Sequence, residues 1–408
     1  VSQHAGSRND PTPLAPPAGA VVTMILAGLS MLGPFTIDTV FPAFERIGEQ
    51  FGADSTAMQQ VTSLYMLAFA VMSVFHGPLS DALGRKPVMI AGLIGYVAAS
   101  IGCALAPNLA VLLVMRTLQG TFAGAATIVS RVVVRDMFSG PQAHKMMSRI
   151  MMIFSVAPAI APVAGGWLLK IGEWPVIFWS IAVYGILALL AVLLLLPETH
   201  PPGARSPLRV GAVVRSILEV GRHPDMIRLA LVTAFAMGGQ FVYIAAAPII
   251  VVDLFGLGEQ DFWKLFVPII VGMLVGAWLS GRLADKVSRS RLVDAALACA
   301  LGAGLLNVVL MLIHPYLPLA MVGPALLSCA IAVAFPVIQL EILDTFPHHR
   351  GAAASLGTLA SLGFNALLAG VIAPLVTASL LTVALAAAGF ALLGFLLWVG
   401  HRRAVRVG

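Results

Sequence analysis

Twelve apolar stretches, each about twenty residues long, constrain this chain more than any other feature. They run over about 20–43, 57–79, 88–106, 109–130, 150–169, 175–196, 229–252, 264–280, 295–313, 318–340, 352–374 and 379–399. At a rise of 1.5 Å per residue, about twenty apolar residues cross a hydrocarbon layer as one helix. None shows the alternation of a transmembrane barrel strand, so they read as helices. Of 408 residues, 59% are hydrophobic and only 10% charged, with a mean hydropathy of +0.97. Soluble domains carry roughly a quarter charged residues. The expected fold is an all-α membrane protein with twelve transmembrane helices in two six-helix bundles.

Charge orients the chain. A twelve-span topology puts twenty of the 24 Lys and Arg on the side of the N-terminus, three (Arg46, Lys170, Lys264) on the other, and Arg116 within the membrane. The positive-inside rule then places both termini in the cytoplasm. The net charge of +6 is thereby topological and not a nucleic-acid footprint. Residues 1–19 are polar and rich in Pro (Pro11, Pro13, Pro16, Pro17), without signal-peptide features, and read as a disordered cytoplasmic tail, while 401–408 read as a cytoplasmic tail. Cys103, Cys299 and Cys329 all fall in apolar stretches and read as small packing residues, not as a disulfide framework.

The longest polar stretch, residues 198–228, separates an N-terminal bundle (20–197) from a C-terminal one (229–400). Sliding the chain over itself by 204 residues aligns Phe51-Gly52 with Phe255-Gly256, Val71 with Val275 and Gly77 with Gly281. The same shift aligns Leu79 with Leu283, Asp81 with Asp285 and Arg85 with Arg289. Four of these seven identities fall in one short polar loop. The first helix of each half is also interrupted, by Gly33-Pro34 and Pro42 in one and by Gly238-Gly239 and Pro248 in the other. Paired interruptions in repeated halves point to a transporter with its site near the midplane. Close packing by small residues is the plainer alternative at each position.

The loop after the second stretch reads Gly77-Pro78-Leu79-Ser80-Asp81-Ala82-Leu83-Gly84-Arg85-Lys86. It resembles motif A of the major facilitator superfamily, G-x-L-x-D-x-x-G-R-[KR], at every defined position. The second copy, from Gly281 to Arg289, is degenerate, with Ser288 for the second glycine. Arg116-Thr117-Leu118-Gln119-Gly120 resembles the R-x-x-Q-G of motif B. The run from Ala157 to Gly166 is similar to the antiporter motif C, with Ala161 in place of its first glycine. Together with Asp38-Thr39-Val40-Phe41-Pro42 and Leu196-Pro197-Glu198-Thr199, these resemble the bicyclomycin/chloramphenicol-resistance (Bcr/CflA) branch of drug:proton antiporters. The resemblance is diffuse beyond about residue 292. It implies an alternating-access monomer of the inner membrane that exports small, largely apolar compounds against protons. It needs no cofactor beyond the proton gradient.

Two charges lie deep in apolar stretches, Asp38 and Arg116. A charge at the bilayer centre costs at least ~2.5–3.5 kcal/mol, so such residues usually serve an ion or substrate path. They lie about six and seven residues, or ~9 and ~10 Å, from the outer ends of antiparallel helices. At that shared depth they could meet directly or through water. Burial and a neighbouring guanidinium act oppositely on an aspartate's proton, a balance suited to proton exchange. A static buried ion pair is the alternative.

At the cytoplasmic mouth, Gly77, Asp81, Gly84 and Arg85 form a candidate gate, with Asp136 the expected partner of Arg85. The repeat offset carries Asp136 to a point beside Glu341, so Arg289, near Asp285, is expected to pair with Glu341 or Asp344. Inner-loop arginines are also explained by topology alone. Ala157, Ala161 and Gly165 share a helical stripe beside Pro158, Pro162 and Gly166, which permits close helix approach and a sealed outer half. Tyr65, Gln240, Tyr243, Gln339 and Asn365 are candidate cavity residues, though each could instead satisfy a neighbouring helix. Phe35, Phe41 and Phe241 flank the interrupted helices.

Met146, Met147, Met151 and Met152 read mainly as packing filler. The histidines lie mostly in loops (His144, His200, His223, His348, His349), unlike a metal site. A proton-coupled nutrient importer is the rival within transport. A membrane-embedded enzyme needs several convergent acids, histidines or metal ligands, and one Asp with one Arg is too few.

Overall fold

The computed structural model describes residues 16–138, 146, 150, 157–158, 160–205, 207–283, 286–347 and 349–407. Its N-terminal half comprises α1 (Pro16–Asp38), a 3-10 turn (Phe41–Ala43), α2 (Phe44–Phe51), α3 (Ser55–Leu83), α4 (Arg85–Ala104), α5 (Leu109–Met137) and, after a helical stretch over 160–168, α6 (Pro175–Leu195). Between the halves lies α7 (Val210–Gly221). The second half comprises α8 (Pro224–Ala245), a π turn (Ile249–Leu254), α9 (Trp263–Leu283), α10 (Arg289–Ile313) and α11 (Val322–Thr345). It closes with α12 (Arg350–Leu367), a π turn (Leu368–Ile372) and α13 (Leu380–Val407).

Eleven helices among the described residues are long and apolar enough to cross a membrane. The fifth apolar stretch, 150–169, lies partly outside the described residues. Helices run past the apolar stretches because polar caps, not hydropathy, end them. Asp54 accepts the Ala57 N–H (2.7 Å) to start α3, and Asn108 accepts the Val111 N–H (3.0 Å) to start α5. At its other end α5 continues past the apolar stretch to Met137 and carries Asp136 on its last turn.

Three boundaries differ from expectation. Residues 16–19, assigned to the tail, belong to α1. The polar stretch 198–228 contains the helix α7 and the start of α8. Residues 401–407 continue α13. Residues 16–19 are Pro-Pro-Ala-Gly, α7 is only twelve residues long, and 401–407 carry three arginines, so a search for apolar runs of about twenty residues passes over all three.

Within the first half α5 packs against α3 and α4, and α4 against α6. In the second, α11 packs against α9 and α10, and α8 against α13. Among the described helices given a range above, the most extensive contact across the halves is α3 with α12. Small residues allow these approaches, as where Gly272 and Gly276 of α9 lie against the Ala325 and Cys329 carbonyls of α11. The internal repeat is visible in backbone geometry: Gly52 and Gly256, aligned by the 204-residue shift, both turn left-handed, at φ 63° and 61°.

Candidate functional site

The first transmembrane helix breaks at its acid. α1 ends at Asp38, Thr39 turns its hydroxyl back onto the Phe35 carbonyl (2.5 Å), and Pro42 sits in the following 3-10 turn. The turn is held from outside: a Cβ on Gly165 would lie 2.2 Å from the Thr39 carbonyl oxygen, so only glycine lets the 160–168 helix approach this closely. Ala157, Ala161 and Pro162 are buried beside it, with Pro158 half-buried.

Asp38 is 4% exposed and makes no hydrogen bond or ion pair among the described residues. The direct meeting with Arg116 does not occur. Arg116 is fully buried and its guanidinium is committed to its own half. Nε donates to the Val61 carbonyl (2.9 Å), and Nη1 donates to Gln119 Oε1 (2.7 Å) and the Thr36 carbonyl (3.4 Å). The Tyr65 ring lies 4.5 Å beneath it, a cation–π contact, and Tyr65 is itself within electrostatic reach of Asp38. Equal depth had suggested a pair, but depth does not set helix rotation. The network continues from Gln119 to Ser100 (2.7 Å), and from Tyr96 to Thr36, knitting α1, α3, α4 and α5.

On the basic face, Arg85 Nε donates to Asp136 Oδ2 (3.0 Å), and Nη1 to Asp81 Oδ1 (2.5 Å) and Ser80 Oγ (2.7 Å). Gly84 has φ +102°, a conformation that L side chains rarely adopt. A further acid joins this cluster. Glu198 accepts the backbone N–H groups of Arg85 (3.0 Å), Lys86 (3.2 Å) and His200 (2.8 Å), while the Thr199 hydroxyl donates to Asp136 (3.1 Å). Glu198 thus places its charge at the N-terminus of α4, where a carboxylate is favoured. Gly77, by contrast, has nothing among the described residues within 4 Å of where a Cβ would stand, its own helix backbone aside.

In the second copy Arg289 pairs with Asp344 (2.8 Å), both more than half exposed, and Glu341 is not its partner. The two acids lie three residues apart, which on a helix is a rotation that the repeat offset cannot resolve. Asp285 lies outside the described residues.

On the far face the halves are joined. Arg46 donates to both oxygens of Glu259 (2.7 and 2.8 Å), Gln60 to the Gly370 carbonyl (2.7 Å), and Ser63 to the Ala366 carbonyl (2.7 Å). Phe41 stacks on Phe266 at 6.3 Å. Gly166 belongs to this seam, since a Cβ there would lie 2.5 Å from the Glu259 carbonyl oxygen. Arg46 and Glu259 escaped sequence reasoning, because two charges 213 residues apart carry no mutual signal.

The candidate cavity residues divide. Tyr65 is fully buried under Arg116, and the Tyr243 hydroxyl accepts from Asn307 Nδ2 (2.6 Å), so both contact neighbouring helices. Phe35 packs edge-on to Tyr184 (5.6 Å). Gln240 and Asn365 are buried, the latter with Oδ1 unpartnered, while Phe241 and Gln339 are half-buried. The rings of Phe235, Phe364 and Phe390 form a cluster, with centroids 5.1–6.1 Å apart, that the sequence reading missed.

Two further histidines, His76 and His401, are buried in α3 and α13; the His76 ring lies against Gly124. Of the methionine cluster only Met146 is described, and it is buried. Met147, Met151 and Met152, with His144 and His348, lie outside the described residues.

Repeated halves, broken first helices, a buried acid and a seam between bundles define a multi-pass membrane transporter, not an enzyme. The Major Facilitator Superfamily profile matches residues 23–367, and the chain belongs to that family. It is 30% identical over 285 residues to the bicyclomycin resistance protein homolog of Haemophilus influenzae, covering 70% of this chain and 72% of that one. It is 32% identical over 305 residues to the multidrug resistance protein MdtM of Salmonella typhimurium, covering 74% and 73%. Among solved structures, a D-xylose-proton symporter superposes with a TM-score of 0.72 at 14% identity, over 94% of this chain and 97% of that one. The human organic anion transporter MFSD10 (TETRAN) gives 0.68 at 23%, over 94% and 100%. These structures, below a quarter identity, speak for the fold alone.

Proposed function

We propose that this chain exports drug-like small molecules in exchange for protons across a bacterial inner membrane, as a monomer with both termini cytoplasmic. Asp38 carries the reading: a buried, unpaired carboxyl at the break of the first transmembrane helix. An ionised carboxylate sealed from water without a cation is costly, and neutralising it by a proton removes that cost. When the halves rock and water or a substrate reaches Asp38, the proton leaves, so that drug and proton compete for one place. Arg116 serves this cycle as a positioning residue, holding Tyr65 and the first turn of the break through carbonyls of α1 and α3.

The joined far face and the open surface at Gly77 support a conformation accessible from the basic, cytoplasmic side. The Arg85 cluster and the Arg46–Glu259 pair then act as opposed latches. The named drug-resistance relatives favour export over nutrient uptake. The test is transport in inverted vesicles, with and without an imposed pH gradient, alongside a drug-susceptibility panel in a pump-deficient host. Accumulation of drug inside inverted vesicles driven by the gradient is the expected result. Loss of drug from them under the same gradient would mean import.

A further inference from the structure

We propose that α7 is a binding site for anionic phospholipid in the leaflet on the basic face. α7 lies between the end of α6 and the start of α8, two helices that meet that face, and its twelve residues are too few to cross a membrane. At 100° per residue its sides are distinct. Val213, Ser216, Ile217 and Val220 face the bundle. Val220 is buried, the Ser216 hydroxyl lies 3.3 Å from His349 Nδ1, and Gly221 sits against Leu356.

The next side is apolar and bare: Val210, Val214 and Leu218 are 50%, 40% and 50% exposed. Beside it, Arg215 and Arg222 project from the helix two turns apart, roughly 10 Å. Both are exposed, and neither has a hydrogen bond or ion pair among the described residues. Together with Gly211, Val214, Leu218 and Glu219 they line a groove along the helix. Glu219 stands within the groove, yet not within ion-pair distance of either guanidinium. Two unmatched cations therefore flank an apolar stripe.

That combination fits the boundary between headgroups and acyl chains. The aliphatic side chains enter the chain region while guanidiniums reach up to phosphate, which their planar fork grips through two oxygens. An anionic headgroup suits the groove better than a zwitterionic one. The ammonium of a zwitterion competes for the phosphate and is repelled by the arginines, whereas an anionic surface favours each nearby Lys or Arg.

The test uses the full-length protein in nanodiscs of phosphatidylcholine alone or with one-third phosphatidylglycerol, reading hydrogen exchange across residues 208–222. Two arginines at an anionic surface slow local opening by about thirtyfold, and the expected effect vanishes in Arg215→Gln/Arg222→Gln and in high salt. Leu218→Ser is expected to weaken protection in both lipids. Equal exchange of the wild type in the two lipids overturns the proposal. So does protection that survives the double substitution, or protection in detergent equal to that with phosphatidylglycerol, since either shows α7 held by protein.

Discussion

Severing the far-face latch tests whether the conformation described here is one of two. Arg46 grips Glu259 through Nε and Nη2 at 2.7 and 2.8 Å, and the side chains are 32% and 20% exposed. Exposed ion pairs contribute about 0.2–1 kcal/mol and hydrogen bonds to charged groups about 1.5–3 kcal/mol. A bidentate pair open to water over about a third of one partner falls between, at about 1–2 kcal/mol. Because the contact spans the halves, all of that free energy favours the joined state. Glu259→Gln is therefore expected to shift the equilibrium toward separated far ends by about five- to thirtyfold. Glu173 stands 3.9 Å from Arg46 but is 84% exposed, too screened to replace Glu259. Spin labels at Glu49 and Gln260, with the three cysteines changed to serine, report the gap as a distance distribution. The short-distance population is expected to fall in Glu259→Gln and Arg46→Gln and to return in Arg46→Glu/Glu259→Arg. If neither single change moves the distribution, or the swap behaves as the sum of its parts, the latch argument fails.

Asp38→Asn keeps the side chain's size and removes its proton, so export is expected to lose its dependence on the pH gradient; a variant with undiminished pH-dependent export refutes the carrier role. Gly165→Ala places a methyl 2.2 Å from the Thr39 carbonyl within one half, and is expected to lower the unfolding temperature in detergent while leaving the seam intact. Gly166→Ala instead pushes on Glu259 across the halves, and is expected to speed the collapse of an imposed pH gradient in vesicles. Identical behaviour of the two glycine variants would contradict this division. Glu198→Ala leaves three backbone N–H groups without their acceptor and is expected to destabilise the protein by about 1–3 kcal/mol. Glu198→Gln keeps an acceptor and should cost less, which thermal unfolding of both variants checks.

Much of the architecture was legible because hydropathy and the repeat report position along the membrane normal. The transmembrane stretches are visible that way, as is the likeness of Gly52 to Gly256. The contact between Arg85 and Asp136 combined a depth with a motif. What escaped depends on rotation about helix axes, which depth does not specify. Arg116 turns toward carbonyls of α1 and α3 instead of toward Asp38, and of the two acids expected for Arg289 only the structure selects Asp344 over Glu341. Tyr243 looks polar and central in sequence, yet its hydroxyl is occupied by Asn307. Glu198 was visible only as part of a loop signature, because a carboxylate that caps backbone N–H groups from 113 residues away leaves no local pattern.

The bare surface at Gly77 has one more implication. Arg85, Asp81, Asp136 and Glu198 all ride on a single bundle, so their mutual attraction does nothing to clasp the two bodies together here. A methyl at position 77 meets no neighbour among the described residues. On the proposed rocking of the halves, an effect of alanine there would report the opposite arrangement, in which the partner bundle closes over residue 77.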